Sequence, residues 1–505
     1  MVNAAIIAFV GITFLIINYF LYGKFIEKKI KPTNRKTPAF INKDKVDFYP
    51  ANKFFLFGHH FASIAGVGPI VGPILGAVYG WLPALLWIFF GNIFIGAVHD
   101  FTSLVVSMRK KGKTIGTIVE DYLGKEGKKV FLIFTWFTLI LVIAVFDMVV
   151  AKTFNKHPEA ATASMLFILI AIFFGYFLYK KRVNILFLTV IGVLLLFLSI
   201  WIGFKYPLEL TYNTWIVILL LYVFIAAITP VWILLQPRDY LNSFLLYIIL
   251  LGGVIGIFLY KPHVEIKVFT GFYNERIGWL FPMVFVTIAC GAISGFHSLV
   301  SSGTSSKQIE KESDSIFIGY GSMLLEGVLA TVALITAIML TQNNYLKILI
   351  DAGPVSMFSL GIGKFLAKLN IPEKIGISFA ALTISAFALT TLDTSTRIAR
   401  YTFQEFFSDF KGEKILSNKF LATVITIFLA GILAFNKGGV KAVWPLFGAA
   451  NQMLAALALL TVTLYLSRNS IKNNFTKIPA IIMFIITISA TVAIMMKNIK
   501  ITNLN

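Results

Sequence analysis

Apolar runs of roughly 18–25 residues recur along the whole chain, the length needed to cross about 30 Å of hydrocarbon. In lipid the backbone must pair its own polar groups, which segments of this length do as helices. The composition agrees. The chain is 58% hydrophobic and 13% charged, with a mean hydropathy of +0.84, whereas a soluble domain is nearer 45–50% apolar and about 25% charged. No polar stretch is longer than about 35 residues, too short for an independent core. The 505 residues therefore read as one all-α polytopic membrane domain. Its single cysteine, Cys290, excludes an intrachain disulfide.

About fourteen transmembrane helices are expected. They lie near 2–22, 56–78, 81–107, 130–150, 162–179, 184–204, 214–236, 241–260, 278–300, 317–341, 376–397, 419–435, 442–466 and 478–496. Val355 to Leu369 reads as an interfacial or re-entrant piece. The first run has no basic residues before it and no small-residue cleavage pattern, and Lys24, Lys28, Lys29 and Lys31 follow it. It reads as a retained helix rather than a signal peptide. With the N-terminus outside, roughly 30 of the 44 Lys and Arg fall on the cytoplasmic side, mainly in loops 24–53 and 108–129. The net charge of +21 is then mostly topology. Spread over loops, it does not form the basic module that nucleic acid requires. The lipid bilayer, through its anionic headgroups, is the expected partner.

One span breaks its own pattern. Phe57 to Gly80, FGHHFASIAGVGPIVGPILGAVYG, carries Gly66, Gly68, Pro69, Gly72 and Pro73. Proline lacks an N–H and clashes with the preceding turn, and glycine accepts non-helical angles. An unwound piece is expected from Gly66 to Pro73. Such backbone survives at membrane depth only inside protein or beside a watery cavity. There, freed N–H groups and a positive helix end suit an anionic substrate group. Close helix packing through small residues is the alternative. Five spans later and in the opposite direction, AAITPVWILLQPRDY holds Pro230 and Pro237. Two interrupted helices at matching places suggest inverted five-helix units, expected at 54–204 and 212–397, with 2–22 before them and 418–496 after. Thr229, Pro230 and Trp232 would form the wall opposite the glycines.

Ionisable residues gather at one depth. His59 and His60 lie about two turns before Gly66, His99 and Asp100 near the inner end of the third span, and His297 in GAISGFHSLVSSGTSSK. Such groups are costly in a membrane and mark ion or proton pathways, and histidine suits proton transfer. A proton relay or inner gate, a hydrogen-bonded structural cluster and a metal site are the three readings. Ser294 and Ser298, with Ser301, Ser302 and Thr304, offer hydroxyl oxygens for sodium, or for their own helix carbonyls. Asp393 and Arg397 are four apart and able to pair on one helix face. Asn451 and Gln452 can bridge helices, and Glu326 is a lone carboxylate. No HExxH and no GxxxxGK[ST] occurs. No convincing nucleophile–base pair is found either. An enzyme and an ATP-driven pump are not expected, and neither is a cofactor or resident metal.

Several stretches together resemble one family. FGHHFASIAGVGPIVGP, GAVHDFTSLVVSMRKKG, SGFHSLVSSGT, LDTSTRIARY and WPLFGAANQMLAA are similar to the carbon starvation protein family, in order, from about Phe54 to Leu466. The resemblance implies a bacterial or archaeal inner-membrane protein linked to nutrient limitation, with uptake of peptides or of pyruvate, the latter proton-coupled. It also implies an APC/LeuT-like core of five plus five helices in inverted repeat. His59, His60, Gly66, Gly68, Pro69, Gly72, Pro73, Asp100 and His297 occupy its motif positions. Many relatives carry Gln–Asp where this chain has His99–Asp100, which weakens His99 and leaves Asp100 stronger.

The expected function is secondary active import of a small carboxylate-bearing nutrient, a short peptide or pyruvate, with the proton as the preferred coupling cation. A sodium-coupled transporter of a related solute, or a channel, is the alternative.

Overall fold

The computed structural model describes residues 3–42, 48–181, 183–230, 233–408, 413–436 and 438–502. Among the described residues, ten helices are long and apolar enough to cross a membrane, and a bent pair makes eleven. That pair is the span singled out above. Lys53–Ile64 and Gly68–Tyr79 meet at 46°. Two further expected spans appear as shorter helices, Tyr212–Ile228 and Lys419–Ala434. A third is interrupted, running from Leu280–Thr287 to Gly295–Gly303 with residues 288–294 between. The piece at 355–369 is the helix Pro354–Ala367, preceded by Gln342–Asp351.

Burial ranks the helices from centre to rim. The most apolar window of Glu373–Phe407 is 89% buried, while that of Ile185–Lys205 is 22% buried. The central helix packs along Ile115–Lys156, the longest in the chain. The rim helix turns Leu186, Phe187, Val190, Leu194 and Trp201 outward, as a lipid-facing surface does. Ile115–Lys156 is itself two pieces. Gly124, at φ 72°, turns the chain after a short first segment, a left-handed angle that glycine adopts without strain.

The first break is shorter than expected and lies at its edge. Only Ala65–Val67 leave the helix, and Gly68, Pro69, Gly72 and Pro73 belong to the helix Gly68–Gly76. Pro69 occupies its first turn, where the missing N–H has no partner to lose. Gly72 serves close approach instead of unwinding. A Cβ there would stand 2.8 Å from the Thr287 carbonyl oxygen and 3.1 Å from Ile288 Cα. Gly68 is pressed in the same way against Cys290 Sγ. The first broken helix is thus packed against the second at both breaks.

The expected partner of the first break, span 214–236, is not an interrupted helix. The structure ends one helix at Ile228 and starts another at Leu235. Pro237 sits in the first turn of that next helix, and exposed Pro230 lies in the connection. Each proline marks a helix end, which costs far less than a break within a helix.

Candidate functional site

The breaks at 65–67 and 288–294 enclose a small cavity of about 10 Å³. Gly66, Phe146, Cys290, Ser294, Thr391 and Asn451 are among its walls. A Cβ on Gly66 would come within 2.6 Å of the Phe146 ring and 2.7 Å of Thr391 Oγ1, so only glycine leaves this space open. Both half-helices that continue from the breaks, Gly68–Gly76 and Gly295–Gly303, begin here. Their N-terminal ends carry partial positive charge.

Neighbouring helices supply partners for the backbone freed at the second break. Trp87 Nε1 donates to the carbonyls of Ile288 at 3.1 Å and Phe285 at 3.2 Å. Asn92 Nδ2 donates to Gly291 O at 3.1 Å and Met323 O at 2.7 Å. Asn451 Oδ1 accepts from the Phe296 N–H at 3.0 Å, and its Nδ2 donates to Ser294 Oγ at 2.9 Å. Gln452 Nε2 reaches Phe285 O at 2.8 Å. Ser294, Asn451 and Gln452 therefore hold the second broken helix to Gly439–Arg468, and two of them also line the cavity.

Of the ionisable residues singled out in the sequence, the structure joins three directly. Asp100 Oδ1 is 2.7 Å from His99 Nδ1, and its Oδ2 is 2.9 Å from His297 Nδ1. The other nitrogen of His297 stands 3.5 Å from Glu326 Oε2. All four side chains are fully buried. His60 Nδ1 bonds instead to Ser305 Oγ at 2.7 Å. His59 turns to a different carboxylate, Asp239, with Nδ1 at 3.3 Å from Oδ2. The expected layer is therefore three separate contacts, of Asp100, His60 and His59. Among the described residues, no three or more His, Cys, Asp or Glu side chains are placed to hold a metal ion.

Ser298 Oγ donates to Gly295 O at 2.8 Å, and Ser302 Oγ to Ser298 O at 2.7 Å. These hydroxyls bond back to their own helix, the usual habit of serine in apolar helices. The expected Asp393–Arg397 pair does not form. Asp393 is taken by Arg238 and Tyr222, and Arg397 donates to the carbonyls of Ala226 and Thr229. The physical reason is local supply. The helix Tyr212–Ile228 ends beside Arg397 with unpaired carbonyls, while Arg238 approaches Asp393 from Leu235–Tyr260. Thr229 and Pro230 consequently line neither cavity. Trp232 lies outside the described residues. Arg238, Asp239, Tyr222, Trp87 and Asn92 were not singled out in the sequence. The adjacent opposite charges in QPRDY were the only signal for the first two.

A larger cavity, about 180 Å³, is walled by His59, Ser63, Leu299, Thr394, Arg397 and Lys307 among others. It reaches Ser63 and Thr394, whereas the small cavity reaches Ile64 and Thr391. The two abut along the first broken helix and Glu373–Phe407.

A family described as "Carbon starvation protein CstA" matches residues 3–352 and 346–490. The "Peptide transporter CstA" of Campylobacter jejuni is 34% identical over 560 residues, covering 96% of this chain and 80% of that protein. The "Pyruvate/proton symporter BtsT" of Escherichia coli is 31% identical over 579 residues, covering 96% and 81%. Among solved structures, MhsT in complex with L-phenylalanine superposes with a TM-score of 0.54 at 13% identity, over 87% of this chain and 99% of that one. This last likeness is one of fold, the LeuT-like arrangement.

Proposed function

The chain belongs to the carbon starvation protein family, whose named relatives are transporters and not enzymes, and we propose that it imports a small carboxylate-bearing nutrient by proton symport. The observation that carries this reading is the meeting of two interrupted helices at one small cavity, beside a buried group of two carboxylates and two imidazoles. The substrate carboxylate would face the positive ends of Gly68–Gly76 and Gly295–Gly303. Gly66, Thr391, Ser294 and Asn451 would bound it, with Phe146 and Cys290 limiting its bulk. The cavity must widen to admit any solute, which favours alternating access over a channel. The abutting inner cavity is the exit path. Coupling falls to His59, His60, Asp100 and His297, joined by Glu326. The serines that bond to their own helix give less support to sodium.

In this reading the chain crosses the cytoplasmic membrane fourteen times with its N-terminus outside. The inverted repeat is kept, with moved boundaries. One unit comprises 53–79, 81–109, 115–156, 212–228 and 235–260, and the other 280–303, 312–338, 373–407, 419–434 and 439–468. In each, the first member is broken, the third is the longest, and the fourth is the shortest of the five as a crossing. The hairpin 158–205 is then an insertion, and 4–30 and 474–502 are additions.

Uptake into proteoliposomes tests the proposal. Labelled pyruvate and alanyl-alanine are supplied separately, under a proton gradient, a sodium gradient or neither. Saturable, proton-driven uptake of one of them is expected. No uptake of either under any gradient would overturn the substrate class, and sodium dependence would overturn the coupling.

A further inference from the structure

Arg238 and Asp239 lie side by side in the first turns of Leu235–Tyr260, both buried. Arg238 Nη1 binds Asp393 Oδ2 on Glu373–Phe407 and the Tyr222 hydroxyl on Tyr212–Ile228. Its Nη2 is 3.3 Å from Asp239 Oδ1. Tyr222 donates its own hydrogen to Asp393 Oδ2 at 2.7 Å. The other oxygen of Asp239 faces His59 at 3.3 Å, on the inner half of the first broken helix. Five side chains from four helices thus make one buried chain that shares no residue with the Asp100 group. It sits at the head of the inner cavity, where His59 and Thr394 are lining residues.

A charge count decides what this chain can hold. Arg238 carries a fixed positive charge. Asp239 and Asp393, ionised, carry two negative charges, and Tyr222 carries none. One negative charge is left over away from solvent, and an uncompensated buried charge costs several kcal/mol. A single monovalent cation cancels it. The other charged groups nearby are occupied or distant. Arg397 serves two backbone carbonyls. Further along the cavity, Glu405 accepts from Thr117 Oγ1 at 2.8 Å, and Lys307 lies 5.3 Å over the Phe48 ring. From Pro158–Lys180, the neutral Tyr179 reaches this region, through Gln236. His60 is turned to Ser305. Among the described residues, the one titratable base in contact with the surplus charge is His59.

We infer that His59, Asp239, Arg238 and Asp393 form a one-proton site at the head of the inner cavity. Hydronium admitted from the outer side gives its proton to the His59 imidazole, which becomes imidazolium against Asp239 and leaves the group neutral. That contact ties Lys53–Ile64 to Leu235–Tyr260 and holds the inner passage closed. Return of the proton to water on the inner side frees the tie and lets the helix part from its neighbour. The inference rests on the symport reading and assigns a coupling proton to this site in addition to the Asp100 group.

Two measurements test it. D239N removes the surplus charge, so the group is neutral without a proton. In proteoliposomes, pyruvate or alanyl-alanine counterflow is expected to persist in D239N, while accumulation under a proton gradient falls about tenfold. H59Q, which removes the base itself, is expected to show the same loss. Full accumulation by both variants overturns the site. Counterflow and accumulation absent from the parent protein overturn the symport reading instead, and the second measurement then decides the site without any substrate. Leu235, on the cavity wall, is replaced by cysteine in a C290A background, and its alkylation by N-ethylmaleimide is followed at pH 5.5 and 7.5. The ratio of rates with and without D239N cancels the thiol's own pH dependence. A ratio several-fold higher at pH 5.5 is expected, because only the parent closes on protonation. A ratio that does not change with pH overturns the site.

Discussion

Asp100 has two oxygens and serves one imidazole with each, at 2.7 and 2.9 Å. Replacing one oxygen with an amide nitrogen sets a donor against a nitrogen that was donating, so D100N must lose one of the two contacts while keeping the volume of the side chain. The full cost of leaving a buried polar group unpaired is about 1–3 kcal/mol. That is enough to shift the protonation balance with His297 and Glu326, and too little to unfold a large membrane domain. Proton-driven uptake by D100N is expected to fall about tenfold or more, with unchanged elution of the purified protein as a monodisperse species. Undiminished uptake would remove Asp100 from coupling. The histidines, Asp100 and Ser294 could be picked out in the sequence because ionisable and hydroxyl groups stand out against apolar runs. Their partners could not. Asp393 and Arg397 satisfy the spacing of a helical pair, but spacing says nothing of Arg238 arriving from another helix. Arg238 itself sits where a basic residue at a span's inner end reads as part of the loop charge.

Between elements, the governing fact is how closely the two broken helices approach. Gly72 gives the clearest handle, because the atom a Cβ would meet is the Thr287 carbonyl oxygen at 2.8 Å, backbone that cannot swing aside. G72A must push Gly68–Gly76 away from the second break or strain it. Overpacking of this kind costs about 1–3 kcal/mol, and the expected outcome is a lowered thermal midpoint together with weakened substrate binding. An unchanged midpoint in a detergent unfolding series would mean that the helices separate freely. The same contact explains which break was legible. Glycine and proline together announced the interruption at Ala65–Val67, although the helix resumes sooner than they suggest because a first-turn proline is harmless. The second break has no proline within it. It rests on Gly291 and Ser294 in ACGAISG, with Trp87 and Asn92 from another helix pairing its carbonyls. Pro230 drew attention away because proline at a helix end and proline at a break look alike in one dimension.

For the whole molecule, the thickness of the bilayer is what made the architecture readable. A run long enough to cross must be a helix, so nearly every expected span has a helical counterpart. The proposed sense of insertion rests on charge, since Lys and Arg concentrate in the segments around the helix ends assigned to the cytoplasm. That sense has a direct consequence. With the N-terminus outside, Glu209, exposed between Ile185–Lys205 and Tyr212–Ile228, faces outward, and Lys125, exposed just after Gly124, faces the cytoplasm. Each is replaced by cysteine. The native Cys290 is only 6% exposed and lies between the two breaks, so it contributes little background to a membrane-impermeant maleimide. In right-side-out vesicles E209C is expected to label and K125C to stay silent until the membrane is permeabilised. Inverted vesicles should reverse the order. Labelling of K125C from outside would turn the molecule over. It would place the Asp100 group and the larger cavity on the outer side, so that the cavity read here as the exit would be the entrance.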